Sequence, residues 1–170
     1  MLKTATETLI TSYLEMRSPA QLRATRADAL DVREQTQRDW RFNRDMYFKV
    51  GERWRWIDKR PWTDAQWIGY ASDACLRTFA GYECEKLAGY FELRRDEAGV
   101  EIAYFGLLPE FVGRGLGGAL LTSAAENAWA WPPTPSRVWV HTCNRDHLNA
   151  LANYQARGFE IYRVESRTAD

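Results

Sequence analysis

The sequence predicts one mixed α/β domain with a central sheet and helices on both faces. The order of elements is one reason: helical patterns dominate the early part, and a β-β-β-α-β-α-β order follows. A glycine-rich turn at 113–118 joins a predicted strand to a predicted helix, which is typical of a βαβ unit. A hairpin pattern precedes that unit and contributes antiparallel strands, so the sheet is mixed.

The chain opens on a predicted strand at 8–16, where β-branched, aromatic and apolar residues are mixed. Ser18 and Pro19 then predict the start of a helix, because serine is a common N-cap and proline fits the first helical position. The apolar residues of this helix would be Leu22, Leu30 and Val32.

Two more helices are predicted before residue 75. One covers 39–50 and stops at Gly51, and the other begins after Thr63, which can cap it, and reaches about Ala71. Five of the eight tryptophans lie between residues 40 and 67. Their rings either cover the sheet as core residues or surround a bound ammonium or a planar acceptor.

From residue 76 the pattern becomes that of strands. The predicted strands are 76–82, 86–95, 100–108, 137–142 and 159–164, with a loose tail after Glu165. Alternation along 100–108 places two sets of residues on opposite faces. These sets are Val100, Ile102 and Tyr104, and Glu101, Ala103 and Phe105. A helix is predicted at 147–157, with Asn144 or Asp146 as its cap and Gly158 directly after its end.

The composition is that of a globular protein: 45% of the residues are hydrophobic and 27% are charged. The 23 basic and 23 acidic residues cancel, which argues against a nucleic-acid binder. No apolar run reaches the roughly 18 residues of a membrane span, and the N-terminus lacks the features of a signal peptide. Cys75, Cys84 and Cys143 lack metal-ligand spacing, so we expect reduced thiols in a cytoplasmic protein.

The run from Val112 to Gly118 predicts an anion site. Alternate glycines let the backbone approach a ligand with its N–H groups outward, and a helix N-terminus adds about half a positive charge. Diphosphate is the usual guest, and Arg114 can add a contact to it. A dinucleotide fold and a turn that only packs helix on strand stay open as alternatives. The dinucleotide alternative lacks its acidic residue after the next strand.

Two motifs in this region resemble those of a known family. The run Leu107-Leu108-Pro109-Glu110-Phe111-Val112-Gly113-Arg114-Gly115-Leu116-Gly117-Gly118-Ala119-Leu120-Leu121 resembles the acetyl-CoA motif of the GNAT superfamily of N-acetyltransferases, Gln/Arg-x-x-Gly-x-Gly/Ala. Ala150-x-x-x-Tyr154-x-x-x-Gly158-Phe159 is similar to the family's C-terminal motif. One predicted strand separates the two, and the resemblance covers about 76–164.

The resemblance implies a GNAT fold, with a mostly antiparallel sheet that contains a splayed parallel pair. It divides the single domain 1–170 into a variable acceptor-side part, 1–75, and an acetyl-CoA-binding part, 76–166. It implies acetyl-CoA as co-substrate and no metal. The implied cofactor-binding residues are Leu107, Leu108, Val112, Gly113, Arg114, Gly115, Leu116, Gly117, Gly118, His147 and Tyr154. Val112 stands where the family prefers Gln or Arg, and His147 where many members have Asn.

The resemblance also implies roles in the reaction, which is attack of a neutral amine on the thioester. Glu101, eleven residues before Val112, is the expected base or substrate anchor, and Tyr154 is the expected acid for the departing thiolate. A backbone N–H of Leu107 or Leu108 is the expected donor to the thioester oxygen. Gly106 would permit the bulge at which the strands splay.

The acceptor is expected to be a small-molecule or peptide amine, with Trp54, Trp56 and Trp62 lining its site. No nucleic acid, membrane or metal partner is expected, and a homodimer is possible. Two other functions stay open: a non-catalytic acyl-CoA-binding regulator of the same fold, and an interaction domain that uses the tryptophan-rich face. Cys143 as a nucleophile with His141 or His147 is a disfavoured alternative, because no acidic residue is evident to orient the histidine.

The stretch 38–60 carries eight Lys or Arg residues against four acids. This is typical of a solvated face, and it could also attract the CoA 3′-phosphate or an acidic acceptor.

Overall fold

A computed structural model describes residues 7–168 of the chain. Seven strands form one sheet in the order β2-β3-β4-β5-β6-β1-β7. The strands are β1 (Thr8–Met16), β2 (Leu30–Glu34), β3 (Leu76–Glu83), β4 (Lys86–Asp96), β5 (Gly99–Leu107), β6 (Val138–Cys143) and β7 (Glu160–Thr168). The helices are α1 (Trp40–Gly51), α2 (Asp64–Ser72), α3 (Gly117–Trp129) and α4 (Ala150–Ala156). Neighbouring strands are antiparallel except β5 and β6.

The sheet carries helices on both faces, as the sequence predicts. On one face, strand residues such as Phe91 and Ile102 form a fully buried core with Leu120 and Ala124 of α3. On the other, Met46 and Val50 of α1 pack with Ala88, Tyr90 and Leu108. The fold is therefore the predicted mixed α/β arrangement.

Local signals place α1 and α2 where they were predicted. Asp39 caps α1 by accepting a hydrogen bond from the backbone N–H of Arg41 at 3.1 Å. Thr63 and Gln66 cap α2 reciprocally, each side chain accepting from the other's backbone N–H. Both helices cover the face of the sheet on which Trp56 and Trp67 also pack.

The first predicted helix is wrong. Ser18 does cap a turn, but the turn is a single 3₁₀ turn, Pro19–Gln21, closed by a reciprocal bond with Gln21. Leu30 and Val32 belong instead to β2, which pairs with β3. Their two-residue spacing is that of a strand whose alternate side chains pack against the core, and not that of a helix.

The predicted faces of β5 are correct only up to Ile102. Leu93 of β4 pairs with Ile102, and the adjacent Glu92 pairs with Tyr104. Ala103 is therefore an extra residue in β5. The predicted bulge therefore lies at Ala103 and not at Gly106. Because a bulge shifts the alternation, Tyr104 faces α1 and α2, and Phe105 joins the core on the α3 face.

Two boundaries near the C-terminus also differ from the prediction. α4 begins at Ala150, and neither Asn144 nor Asp146 caps it, because Asp146 instead accepts from the backbone N–H of Cys143. The tail predicted to be loose after Glu165 continues as strand β7 to Thr168. That strand pairs with β1, which lies between β6 and β7.

Candidate active site

The parallel strands β5 and β6 separate soon after they begin to pair. Their ladder joins Val100 to Val138 and Glu101 to Trp139. Beyond that point β5 continues to Leu107 along the opening. A cavity of about 1200 Å³ occupies this opening and extends to both sides of it. The splay that the resemblance implies is therefore present, and the cavity is the candidate active site.

One end of the cavity is bounded by the glycine loop and α4. Leu107, Val112, Gly113, Gly117, Gly118, Ala150, Asn153 and Tyr154 line it. Among the described residues, the backbone N–H groups of 113–118 donate no hydrogen bond, and the first turn of α3 carries no acidic residue. Free N–H groups at a helix N-terminus suit a diphosphate, so these residues fit the CoA group.

The glycines of this loop have different reasons to be glycine. Gly113 and Gly115 have φ of 81° and 78°, in the left-handed region that disfavours other residues, and a Cβ there would meet nothing within 4 Å. A Cβ at Gly118 would lie 2.4 Å from an Arg157 guanidinium nitrogen and 2.7 Å from Cγ2 of Thr25. Gly113 and Gly115 are therefore glycine because of backbone conformation, and Gly118 is glycine because of close packing.

Some of the predicted cofactor contacts are engaged within the protein. The Leu108 N–H donates to the carbonyl of Ala88 at 2.7 Å, which leaves Leu107 as the candidate donor to the thioester oxygen. The Val112 N–H donates to the carbonyl of Pro109 at 3.3 Å. The Arg114 guanidinium pairs with Glu83 at 2.7 Å.

His147 does not share a helix face with Ala150, Leu151 and Tyr154, because it precedes α4. Its Nδ1 accepts from the backbone N–H of Asn149 at 3.0 Å, and its ring packs edge-on against Trp54. His147 therefore lies where the two ends of the cavity meet. Asn153, which sequence reasoning did not single out, lies with its amide nitrogen 3.7 Å from a Cβ built on Gly117.

Glu101 has a partner in the opening between the strands. His141 on β6 places Nδ1 3.3 Å from Oε1 of Glu101, with side chains 47% and 15% exposed, and both line the cavity. The hydrogen bond with Glu101 raises the pKa of His141, and partial burial opposes this. The sequence placed both residues on predicted strands, but only the parallel register of β5 and β6 could have paired them.

Tyr154 lies against the same cavity from α4. It is 6% exposed and packs against Phe105 and Phe159. Burial raises the pKa of its hydroxyl, and Asp146 adds to the effect. The hydroxyl therefore keeps its proton at neutral pH, which a proton donor needs.

The three predicted acceptor-side tryptophans, Trp54, Trp56 and Trp62, are half-buried and line the other end of the cavity. Trp56 packs against Tyr104 and Trp62 against Trp67, which is fully buried. The tryptophan-rich segment thus supplies both core residues and walls of the cavity.

Polar side chains behind these rings form a network that the sequence did not reveal. The Asp58 carboxylate accepts from the hydroxyls of Tyr47 at 2.8 Å and Tyr104 at 2.7 Å and from Nζ of Lys59 at 2.9 Å. Burial acts to raise the pKa of Asp58, but these three hydrogen bonds outweigh it, so the pKa is lowered. Asp58 is therefore a poor base and a good anchor for a cation.

A second carboxyl group, Glu92, is buried beneath the same rings. It accepts from Nδ2 of Asn43 at 2.8 Å and from the Tyr70 hydroxyl. Burial raises its pKa, while the hydrogen bonds from Tyr70 and Asn43 oppose the rise. Glu92 lies opposite Tyr104 on the neighbouring strand.

The structure gives no support to the cysteine alternative. Burial raises the pKa of the Cys143 thiol, which keeps it protonated and weakly nucleophilic.

Within residues 7–168, no three His, Cys, Asp or Glu side chains are grouped as metal ligands would be. In the same range, no helix has the length and apolar character that crossing a membrane requires.

Comparison with known proteins identifies the family. The model of the acetyltransferase (GNAT) family matches residues 29–159. The chain belongs to the GNAT family. The matched range includes the glycine loop, Glu101, His141, α4 and the tryptophan-rich segment. Strands β1 and β7 lie outside it.

Two solved structures resemble this chain over nearly its whole length. A GCN5-related N-acetyltransferase from Sphaerobacter thermophilus is 13% identical with a TM-score of 0.67. The match covers 94% of this chain and 50% of that one. A functionally unknown conserved protein from Staphylococcus epidermidis is 15% identical with a TM-score of 0.65, covering 95% and 61%. This chain therefore spans half to three-fifths of their length, and at these identities the likeness shows the fold.

A shorter relative covers the domain more evenly. An aminoglycoside acetyltransferase from an uncultured soil metagenomic sample, solved in complex with trehalose, is 12% identical with a TM-score of 0.61. The match covers 76% of this chain and 88% of that one. A search of curated proteins finds no match.

Proposed function

We propose that this GNAT protein transfers an acetyl group from acetyl-CoA to a primary amine by direct attack in a ternary complex. One observation carries the proposal: a single cavity is lined by Gly113, Gly117 and Gly118 of the glycine loop, by the Glu101–His141 pair and by the tryptophans of the acceptor end. Both substrates can therefore meet at the opening between β5 and β6 without an intermediate carried by the protein.

The glycine loop and α4 would hold the CoA part. The N–H groups of 113–118 receive the diphosphate, and Arg114 reaches it by exchanging its Glu83 partner for a phosphate oxygen. The pantetheine arm lies along β5 where it has parted from β6, and the Leu107 N–H donates to the thioester oxygen. Asn153 contacts the arm from α4 beside Gly117.

Glu101 and His141 would remove the amine proton together. Glu101 accepts from Nδ1 of His141, which leaves Nε2 to take the proton from the amine. A base whose pKa lies nearer neutrality is better matched to a protonated amine than a lone carboxylate is. The amine nitrogen then forms its bond to the acetyl carbon as the C–S bond breaks. Tyr154 delivers its proton to the departing sulfur.

The acceptor would enter between the tryptophans. The end of the cavity that Trp54, Trp56 and Trp62 line also carries Asp58 and Lys59, so aromatic surface and charges of both signs face the amine. A small-molecule or peptide amine fits such a wall. The metagenomic aminoglycoside acetyltransferase was also solved with sisomicin bound, which makes aminoglycosides a reasonable part of any acceptor screen.

The proposal is tested by incubating the protein with acetyl-CoA and a library of amines, and by measuring CoA release and acetylated product by mass spectrometry. Tyr154→Phe serves as the matched control, because its fold should be kept and its rate reduced. Saturable CoA binding without transfer to any amine would instead indicate an acyl-CoA-binding regulator. Absence of CoA binding would leave an interaction domain.

A further inference from the structure

The side chain of Lys59 ends inside a cage of aromatic rings. Its Nζ lies 4.6 Å from the centre of the Trp62 ring, 5.1 Å from that of Tyr70 and 4.9 Å from that of Tyr104. The side chain is only 13% exposed. A cation so close to three ring faces is held by the ring quadrupoles, which act more strongly when water is excluded.

Two acidic side chains complete this cage. The Asp58 carboxylate accepts from Nζ of Lys59 at 2.9 Å, and the Tyr104 hydroxyl lies 2.9 Å from the same nitrogen. Glu92 is buried behind Tyr70 and Tyr104. Aromatic faces with nearby carboxyl groups favour a cation, and the compact head of Lys59 shows that a primary ammonium fits.

The cage belongs to the cavity and not to the core behind it. Lys59, Asp58, Trp62, Tyr70 and Tyr104 all line the same cavity as the Glu101–His141 pair. The rings and carboxyls are fixed by other contacts: Trp62 packs on Trp67, Tyr70 bonds to Glu92, and Asp58 bonds to Tyr47. Removal of the lysine side chain would therefore leave a preformed cation site.

We propose that this cage is an alkylammonium-binding subsite of the acceptor cavity, and that Lys59 occupies it until a cationic group of the acceptor displaces it. As a ligand class, the subsite takes primary alkylammonium ions. The inference also predicts that the acceptor carries a second cationic group besides the reacting amine. This part of the inference rests on the proposed function.

The binding test uses Lys59→Ala and n-propylammonium, which replaces the atoms Cγ to Nζ that the substitution removes. Binding is followed by tryptophan fluorescence, since Trp62 forms one wall, and by thermal melting. The variant should show a saturable fluorescence change and a rise in Tm with n-propylammonium, and little change with neutral n-propanol. Wild type and Lys59→Arg should respond only at much higher n-propylammonium concentrations, because the ligand must first displace the side chain that fills their cages.

The contribution of the rings is tested by adding Trp62→Leu to Lys59→Ala. Loss of one ring should weaken n-propylammonium binding by about twofold to thirtyfold, the range that about 0.5–2 kcal/mol represents. If Lys59→Ala folds poorly alone, n-propylammonium should restore its folding and n-propanol should not. Failure of the ammonium to bind or to rescue, or an equal effect on wild type, would overturn the subsite.

The kinetic test compares a diamine with a monoamine of the same length as acceptors. In Lys59→Ala the ratio of the diamine KM to the monoamine KM should fall relative to wild type, while the KM for acetyl-CoA stays the same. An unchanged ratio would show that the cage does not bind the acceptor. The fluorescence and melting tests need no acetyl transfer, so failure of the proposed activity and failure of the subsite remain distinguishable.

Discussion

The loop that is assigned to the diphosphate can be tested by two glycine substitutions that differ in one respect. In Gly115→Val, the side chain enters open space, but the backbone must keep a φ of 78° that a β-branched residue strongly disfavours. The loop should therefore change conformation and turn one or two N–H groups away. Each hydrogen bond to a charged phosphate contributes about 1.5–3 kcal/mol, so CoA affinity should fall by about tenfold to more than a hundredfold.

In Gly118→Ala, the backbone is helical and the difficulty is space. The new Cβ would lie 2.7 Å from Cγ2 of Thr25 and 2.4 Å from the end of Arg157, which can swing aside more easily than Thr25 can. Such overpacking costs about 1–3 kcal/mol. For a chain of this size each kcal/mol lowers Tm by about 2–4 °C.

Calorimetric titration with CoA and thermal melting of both variants provide the measurements. Gly115→Val should lose CoA affinity by much more than its Tm loss explains, and Gly118→Ala should melt earlier yet bind CoA within about threefold of wild type. The contrast is the control, since both variants replace glycines of one motif. A folded Gly115→Val with unchanged affinity would refute the assignment of this loop to the diphosphate.

Four further predictions concern the chemistry and its setting. Glu101→Gln should lower kcat by about a hundredfold to ten-thousandfold, and the remaining rate should rise with pH as more of the amine becomes neutral. His141→Gln should lower kcat by a similar factor, and the double variant should lose no more kcat than either single variant if the pair acts as a unit. The pKa of His141 is raised in the fold, so the stability from its pairing is present below about pH 6.5 and is lost as pH rises through the raised pKa. The Tm gap between wild type and His141→Gln should therefore narrow as pH rises above about 6.5, and a gap that widens would contradict the ion pair. Trp56→Ala should raise the acceptor KM and spare acetyl-CoA binding, whereas Trp67→Phe in the buried core should change Tm alone; equal effects on both KM values would show that Trp56 is a core residue. Tyr154→Phe should lower kcat with little change in acetyl-CoA affinity, and a pure affinity loss would make the tyrosine a cofactor ligand.

Local sequence signals were enough where the responsible residues are close in the chain. Thr63 and Gln66 begin α2 by reciprocal capping, and the glycines at 113 and 115 mark the turn before α3 because their φ values are positive. The mixed sheet and the βαβ unit followed from the order of such elements. Two motifs of fixed spacing then indicated the family, and the family match confirms it.

Tertiary structure decided what depends on register between distant segments. Ala103 is an extra residue only relative to β4, and its presence moves Tyr104 to the face of α1 and α2. His141 meets Glu101 because β5 and β6 are parallel and part after two residue pairs. Neither effect leaves a trace in the spacing of residues along one strand.

The sequence by itself determined the class of fold, the glycine loop and the chemical types available at the acceptor end. It supplied tryptophans that can surround an ammonium, and it could not say which ammonium they surround. Only the packed structure places Nζ of Lys59 among Trp62, Tyr70 and Tyr104, with Asp58 as its hydrogen-bond acceptor. The physical reason is that a cage needs rings from a loop, a helix and a strand to converge, and that convergence follows from packing and not from spacing in the chain.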